Sequence, residues 1–273
     1  MRSPASGEGF DVDDPHPRVI DFGAIDWAAL LPFIAIGFAA QLVDGALGMA
    51  FGVITSTLLV GVMGVPPATA SARVHVVEIF TTGVSGISHL IHRNIDGRLF
   101  LRLLIPGAIG GVTGAYLVSQ IAGEIVKPIV LAYLIGIGLF LLWRAAKHKL
   151  EVKDPRIVAP LGLLGGFLDA AGGGGWGPVV TSNLLVQGAE PRKVVGTVNS
   201  VEFLLTLVIS ITFITQLGIA DIAGATLGLL IGGVLAAPVG AIVAGRLHPR
   251  LMLGMVGTVL VLTSSYGLYR ALM

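Results

Sequence analysis

The chain has 273 residues, of which 54% are hydrophobic and only 12% are charged, and its formal net charge is +1. Soluble domains carry about 25% charged residues, so this composition predicts a membrane protein. No basic stripe indicates a nucleic-acid partner, and the absence of cysteine excludes disulfides and thiolate metal sites.

The apolar segments fall into two halves. An acidic tail, residues 1–26, comes first and lacks the basic region of a cleaved signal peptide. The first half, residues 27–146, has apolar segments at about 27–43, 50–63, 68–90, 99–120 and 125–146. A polar linker, residues 147–156, leads to the second half, residues 157–273, with segments at about 157–171, 176–187, 191–217, 222–247 and 251–272.

The second half repeats landmarks of the first. The phrase Thr55-Ser56-Thr57-Leu58-Leu59-Val60 returns as Thr181-Ser182-Asn183-Leu184-Leu185-Val186, and Asp44 and Glu78 return as Asp169 and Glu202. The second segment of each half is shorter than the roughly 20 residues that a crossing needs. We therefore expect segments one and two of each half to form a hairpin that meets inside the membrane, as in secondary transporters whose site lies between their repeats.

Lysine and arginine placement predicts the orientation. Most of these residues lie in residues 93–102, 144–156, 192–193 and 246–250, which fall on one face of the predicted helix bundle. The positive-inside rule makes that face cytoplasmic. Both termini are then extracytoplasmic, and the odd number of crossings in each half inverts the second repeat relative to the first. The sequence predicts an all-α, polytopic protein of two inverted repeats.

Glu78 and Glu202 each lie about eleven residues into a helix that begins at a proline, near the centre of the hydrocarbon core. An ionised carboxylate at that depth costs at least ~2.5 to 3.5 kcal/mol, so it should face a polar cavity, find a partner or take up a proton. His75 and Asn199 stand three residues earlier on the same helix faces. We interpret the glutamates as proton-carrying or gating groups, with His75 the most easily titrated neighbour; a purely structural buried pair is the alternative.

Glycine-rich interruptions follow both aspartates. Consecutive glycines in residues 172–175 should break the helix after Asp169, and the next half-helix would aim unpaired N–H groups at the centre of the protein, which suits an anion. The first repeat has a weaker version around Gly45 and Gly48. The candidate anion-binding residues are Gly45, Gly48, Phe51, Thr55, Ser56, Gly172, Gly173, Gly174, Gly175, Trp176, Thr181, Ser182, Asn183 and Asn199.

Simpler roles compete for several of these residues. Asp44 and Asp169 are candidates for proton coupling, but they equally suit helix caps at the breaks. The hydroxyls of the two repeated Thr-Ser pairs equally suit bonds back to their own helices. Phe51 and Trp176 occupy matching positions, so we expect an aromatic side chain to line the cavity from each side.

These features resemble the TauE/SafE sulfite exporter family, also called the 4-toluene sulfonate uptake permease family. The resemblance rests on the glycine-rich hairpins, the proline-initiated helix with Asn199-Ser200-Val201-Glu202 and the duplication, and it covers about residues 30–272. It implies transport of sulfur-containing anions such as sulfite, thiosulfate, sulfoacetate or sulfolactate across a bacterial inner membrane, coupled to protons.

The leading hypothesis is a secondary anion transporter that works by alternating access, and not an enzyme. A passive anion channel of the same fold is one alternative. An intramembrane aspartyl protease would need Asp44 and Asp169 as a shared-proton pair, yet no Gly-x-Gly-Asp sequence surrounds either residue.

There is no ATP-binding loop of the Gly-x-x-x-x-Gly-Lys type, and no metal or organic cofactor is implied. The expected partners are a small anion and the bilayer, and a homo-oligomer stays open.

Overall fold

The computed structural model describes residues 27–47, 49–146, 155–181, 183–184, 187, 189–244 and 249–273. This part of the chain is helical: α1 (Trp27–Leu47), α2 (Phe51–Ser56, continued by a π-helical turn, Thr57–Val62), α3 (Pro67–Ile91), α4 (Gly97–Gln120), α5 (Gly123–Ala146), α6 (Ala159–Gly172), the π-helical α7 (Trp176–Thr181), α8 (Pro191–Leu217), α9 (Ala220–Ala244) and α10 (Pro249–Leu272). The acidic tail, most of the linker, Gly48 and Ser182 lie outside the described residues.

The helix ends follow local chemistry. Pro67, Pro191 and Pro249 each open a helix, where the missing proline N–H breaks no hydrogen bond. Asp96 caps α4, because its Oδ1 accepts the N–H groups of Arg98 and Leu99 at 2.9 and 3.1 Å. These boundaries agree with the predicted apolar segments to within a few residues.

The helices identify a multi-pass membrane protein. By length and composition, five helices of the described part can cross a membrane, at Trp27–Asp44, Pro67–Ile91, Gly97–Gln120, Gly123–Ala146 and Lys193–Leu217. Helix α2 with its π-helical turn, Phe51–Val62, is apolar but shorter. The prediction of an all-α, polytopic protein is confirmed.

The helix pairing reflects the duplication. Helix α1 packs along α9 and α4 packs along α6, while α3 packs on α8 and α5 on α10. If α1–α5 correspond to α6–α10, the first two pairs are the same contact with the halves exchanged. Equivalent glycines lie at both crossings, since a Cβ on Gly37 would meet the Leu229 carbonyl and one on Gly162 would meet the Leu103 carbonyl.

Helices α3 and α8, which occupy equivalent places in the two halves, run antiparallel. The rings of His75 and Phe213 are 6.1 Å apart near one end of the α3–α8 contact, and Gly86 lies against Ser200 near the other end. This arrangement is the one expected of an inverted repeat, and the inversion itself stays a prediction. The orientation across the bilayer stays a prediction.

Candidate functional site

A break in the second hairpin is closed by an aspartate. Helix α6 ends at Gly172, and Gly173 (φ 68°) and Gly174 (φ 145°) turn the chain before α7. The Oδ1 atom of Asp169 accepts the N–H groups of Gly175 and Trp176 at 2.8 and 3.0 Å. The glycine run therefore does break the helix, as the sequence predicts.

The first hairpin repeats this arrangement. The Oδ1 atom of Asp44 accepts the N–H groups of Ala50 and Phe51 at 2.7 and 3.1 Å. Both aspartates thus act as caps at the breaks, which is the simpler of the two roles that the sequence allows. The sequence led us to expect half-helix amides that are unpaired and free for an anion. That expectation is wrong for the amides of Ala50, Phe51, Gly175 and Trp176.

Side chains of the first repeat hold the glycine loop of the second. The Ser56 hydroxyl donates to the Gly173 carbonyl, and the Tyr133 hydroxyl donates to the Gly174 carbonyl at 3.3 Å. A Cβ on Gly174 would overlap the backbone of Gly52. The loop is therefore pressed against the beginning of α2, and the two hairpins meet there.

His75 links α3 to the Asp169 cap. Its Nε2 lies 3.1 Å from the Asp169 Oδ2, and its Nδ1 lies 2.8 Å from the Ser71 carbonyl oxygen. A carbonyl oxygen only accepts, so Nδ1 carries a hydrogen. A bond between Nε2 and Oδ2 then needs a second proton, either on the ring or on the carboxyl group. In both cases the His75–Asp169 pair has no net charge.

A small cavity lies where the two hairpins meet α3 and α8. Its volume is about 20 Å³, which is room for about one water molecule. Its walls are Asp44, Met49, Phe51, Gly52 and Val53 of the first hairpin, Glu78, Thr81 and Thr82 of α3, Asp169, Gly174, Gly175, Gly177 and Pro178 of the second hairpin, and Asn199 and Glu202 of α8.

Glu78 is the most enclosed carboxylate with a free oxygen. Its side chain is 5% exposed, and the backbone N–H of Gly52 is hydrogen-bonded to it. Its Oε2 atom has no hydrogen-bond partner among the described residues. An unsatisfied buried carboxylate oxygen is costly, so a proton or a polar ligand is needed at this atom.

The cavity is acidic. Among the described residues, four carboxylates line it, and no lysine or arginine does. His75 is fully buried behind the wall and does not line the cavity. A cavity of this kind does not attract an anion while its carboxylates are ionised.

Two comparisons with known proteins bear on identity. The model of the family "Sulfite exporter TauE/SafE" matches residues 33–267. The chain is 42% identical over 245 residues to the "Probable membrane transporter protein YtnM" of Bacillus subtilis (strain 168), covering 86% of this chain and 81% of that protein. The chain belongs to the TauE/SafE sulfite exporter family. No solved structure matches it. This TauE/SafE protein is accordingly a membrane transporter.

The structure brings together part of the site predicted for this TauE/SafE protein. The lining residues include the predicted Asp44, Phe51, Glu78, Asp169, Gly174, Gly175, Asn199 and Glu202. Gly172 and Gly173 lie just outside the cavity wall, at the helix end. Gly45 lies in α1, shortly before its end.

Several other predicted residues are placed elsewhere. Trp176 is fully buried, its Nε1 donates to the Val198 carbonyl at 3.2 Å, and it is not a lining residue. The expectation of a cavity-lining aromatic from each side is therefore wrong at Trp176. Thr55, Ser56, Thr181 and Asn183 are also absent from the cavity wall. Asn183, just after α7, donates to the Val179 carbonyl at 2.7 Å, a bond back to the residue four places earlier.

Sequence reasoning missed two kinds of residue. Thr81 and Thr82 line the cavity of this TauE/SafE transporter. They follow Glu78 by three and four residues, which places them on the same helix face, so the sequence spacing could have predicted them. Tyr133 holds the glycine loop from α5. Nothing near Tyr133 in the sequence indicates this contact, because its partner belongs to the other repeat.

The two caps differ in a testable way. Asn in place of Asp keeps one oxygen as an acceptor, so Asp44→Asn should cost less than ~1 kcal/mol of unfolding free energy. Asp169→Asn also removes the carboxyl group that shares a proton with His75, and a buried hydrogen bond of this kind contributes ~1.5 to 3 kcal/mol when one partner is charged. Unfolding of both purified variants in detergent measures the difference. Equal destabilisation would contradict a distinct role for the His75–Asp169 contact.

Proposed function

We propose that this TauE/SafE protein moves a small sulfur-containing anion, such as sulfite, thiosulfate or an organosulfonate, together with protons. The supporting observation is the cavity lined by four carboxylates and no basic side chain. Like charges repel strongly in a weakly polarisable interior, so an anion binds there only after carboxylates are neutralised. Proton binding and anion binding then favour each other reciprocally, which makes the protein a symporter.

The four carboxylates have two different roles in this mechanism. Asp44 and Asp169 hold the half-helix amides, and Asp169 forms a neutral pair with His75. Glu78 on α3 and Glu202 on α8 are then the carboxylates that take up and release transported protons. Asn199 supplies a polar contact to the anion through its second amide hydrogen. The Thr81 and Thr82 hydroxyls, which donate to the Glu78 carbonyl in the closed site, turn toward the anion when the site opens.

The size of the cavity supports alternating access. A cavity of about 20 Å³ holds about one water molecule, and an oxyanion of sulfur, with four or more heavy atoms, is larger than one water molecule. The site must therefore open before it binds the anion. Helices α3 and α8 each carry one glutamate and pack on each other, so their separation on one side and then on the other exposes the site to each side in turn.

The protein acts in a bacterial inner membrane with its basic loops in the cytoplasm and both termini outside. Lysine and arginine placement supports this orientation. The direction of net transport follows the anion and proton gradients across that membrane, because a symporter runs either way.

A proteoliposome assay tests the proposal. Radiolabelled sulfite uptake is measured with an imposed proton gradient of either sign and with none. We expect uptake to follow the proton gradient, and thiosulfate and short sulfonates to compete with sulfite. Sulfate of equal concentration serves as the comparison anion. Flux that ignores the proton gradient would instead favour the passive anion channel.

A further inference from the structure

A second, apolar groove lies on the outer surface of the helix bundle, between α3, α8 and the beginning of α4. Its volume is about 370 Å³. Ile87 and Leu90 of α3, Phe100 of α4 and Phe203 of α8 supply much of its wall. Ile87 and Leu90 are exposed, and both lie in a span long and apolar enough to cross a membrane. The groove therefore faces the lipid.

Missing side chains create this groove. Gly83 and Gly86 form its floor on α3, and the ring of Phe203 lies 3.1 Å from where a Cβ on Gly83 would stand. At the equivalent positions the second repeat carries Leu207 and Ser210. The second repeat therefore has side chains at the positions where the first repeat has only glycine.

Basic residues surround one end of the groove. Ile95 and Gly97 line that end, and the exposed Arg93 and Arg98 flank them in the chain. Lys193 reaches the same loop, where its Nζ donates to the Arg93 carbonyl at 2.9 Å. Positive charge therefore stands at the membrane surface, at the point where the apolar groove ends.

The acidic residues of this region do not cancel that charge. Asp96 lies between the two arginines, but its Oδ1 accepts the N–H groups of Arg98 and Leu99. Glu190 precedes α8 and is exposed. With Lys193, the basic side chains still outnumber the acidic ones.

We propose that the groove binds an acyl chain of an anionic phospholipid, with the headgroup held by Arg93 and Arg98. An apolar groove with basic residues at one end is complementary to such a lipid. Basic residues near the membrane surface attract anionic headgroups, and the acyl chain fills the groove and packs against its apolar side chains. The lipid packs on the outer side of the α3–α8 pair that carries Glu78 and Glu202. The lipid site does not depend on which anion the protein transports.

A groove-filling substitution tests the acyl-chain part. Gly97 lines the groove, and a Cβ there meets nothing within 4 Å, so the side chain of Gly97→Phe starts in open space at the groove wall. We expect Gly97→Phe to weaken binding of phosphatidylglycerol by about tenfold, as the loss of a few buried methylenes implies. Native mass spectrometry of detergent-purified protein titrated with phosphatidylglycerol gives the bound-lipid count. Gly136→Phe is the matched control, because a Cβ on Gly136 also meets nothing within 4 Å.

A charge substitution tests the headgroup part. We expect the double variant Arg93→Gln, Arg98→Gln to lose most of the preference for phosphatidylglycerol over phosphatidylcholine of the same acyl composition, by about tenfold or more. Thermal stabilisation by each lipid serves as a second readout. Arg270→Gln, at an exposed position on the opposite predicted face, should keep the wild-type preference.

Three results would overturn the proposal. The first is unchanged lipid binding in Gly97→Phe, the second is equal loss in Gly136→Phe, and the third is an unchanged lipid preference in the double variant Arg93→Gln, Arg98→Gln. If the first result comes with a change in oligomeric state, measured by light scattering, the groove is assigned to a second copy of the chain.

Discussion

Glu78→Gln should abolish proton-driven anion accumulation while sparing exchange of one anion for another. Glutamine has nearly the same shape as a protonated glutamate but cannot release a proton. The site can then bind the anion but cannot complete the proton-releasing step of the cycle. We expect proton-driven uptake in proteoliposomes to fall about 10- to 100-fold, because the coupling free energy between two bound ligands is typically about 1 to 3 kcal/mol. Glu202→Gln should weaken coupling in the same assay.

Glu190→Gln provides the control, since Glu190 is exposed and lies outside the cavity. It removes one carboxylate charge without touching the site, and its uptake should equal that of the wild type. Coupling that survives unchanged in both Glu78→Gln and Glu202→Gln would refute the proton role of the glutamates. Loss of exchange together with loss of uptake would point instead to an anion-binding defect.

Gly174→Ala should be the most destabilising single substitution at the site. Gly174 has φ 145°, a conformation that costs a residue with a Cβ about 1 to 3 kcal/mol. The added Cβ would also overlap the main chain of Gly52 and Val53, and overpacking costs about 1 to 3 kcal/mol more. A loss of about 2 to 6 kcal/mol therefore follows from the two costs together. Denaturant unfolding in detergent measures it.

Gly218→Ala separates the two costs. Gly218 also has a positive φ, 84°, but a Cβ there meets nothing within 4 Å. Only the backbone cost remains, about 1 to 3 kcal/mol. If Gly174→Ala is no more destabilising than Gly218→Ala, the two hairpins are not in the tight contact described above.

The two halves differ in the contacts that α3 and α8 make at the cavity. His75 of the first repeat pairs with Asp169 of the second at 3.1 Å. At the equivalent position Asn199 instead donates to the Val195 carbonyl of its own helix at 2.9 Å. The second hairpin is therefore tied to α3 by a buried polar contact that the first hairpin does not make to α8 through Asn199. Exact two-fold behaviour is not expected of this transporter.

The sequence alone was enough for the helices and their breaks. The apolar composition matches the membrane interior, and the length of the apolar segments matches its thickness. Consecutive glycines break a helix and an initial proline begins one, and both effects depend only on the local backbone. Gly173 ends α6 and Pro191 begins α8 for these local reasons. The duplication likewise pointed to Asp44, Asp169, Glu78 and Glu202, and all four meet at one cavity.

The tertiary structure decided which polar atoms are already satisfied. The aspartates cap the half-helix amides, so the free-amide anion site expected from the sequence is not formed by those amides. His75 and Asp169 are 94 residues apart in the chain, and Trp176 lies behind the cavity wall with its nitrogen bound to Val198. A repeat indicates which residues occupy equivalent places within each half. Distances between the halves depend on how the helices pack, and packing fixed the acidic cavity, its closure and the lipid-facing groove.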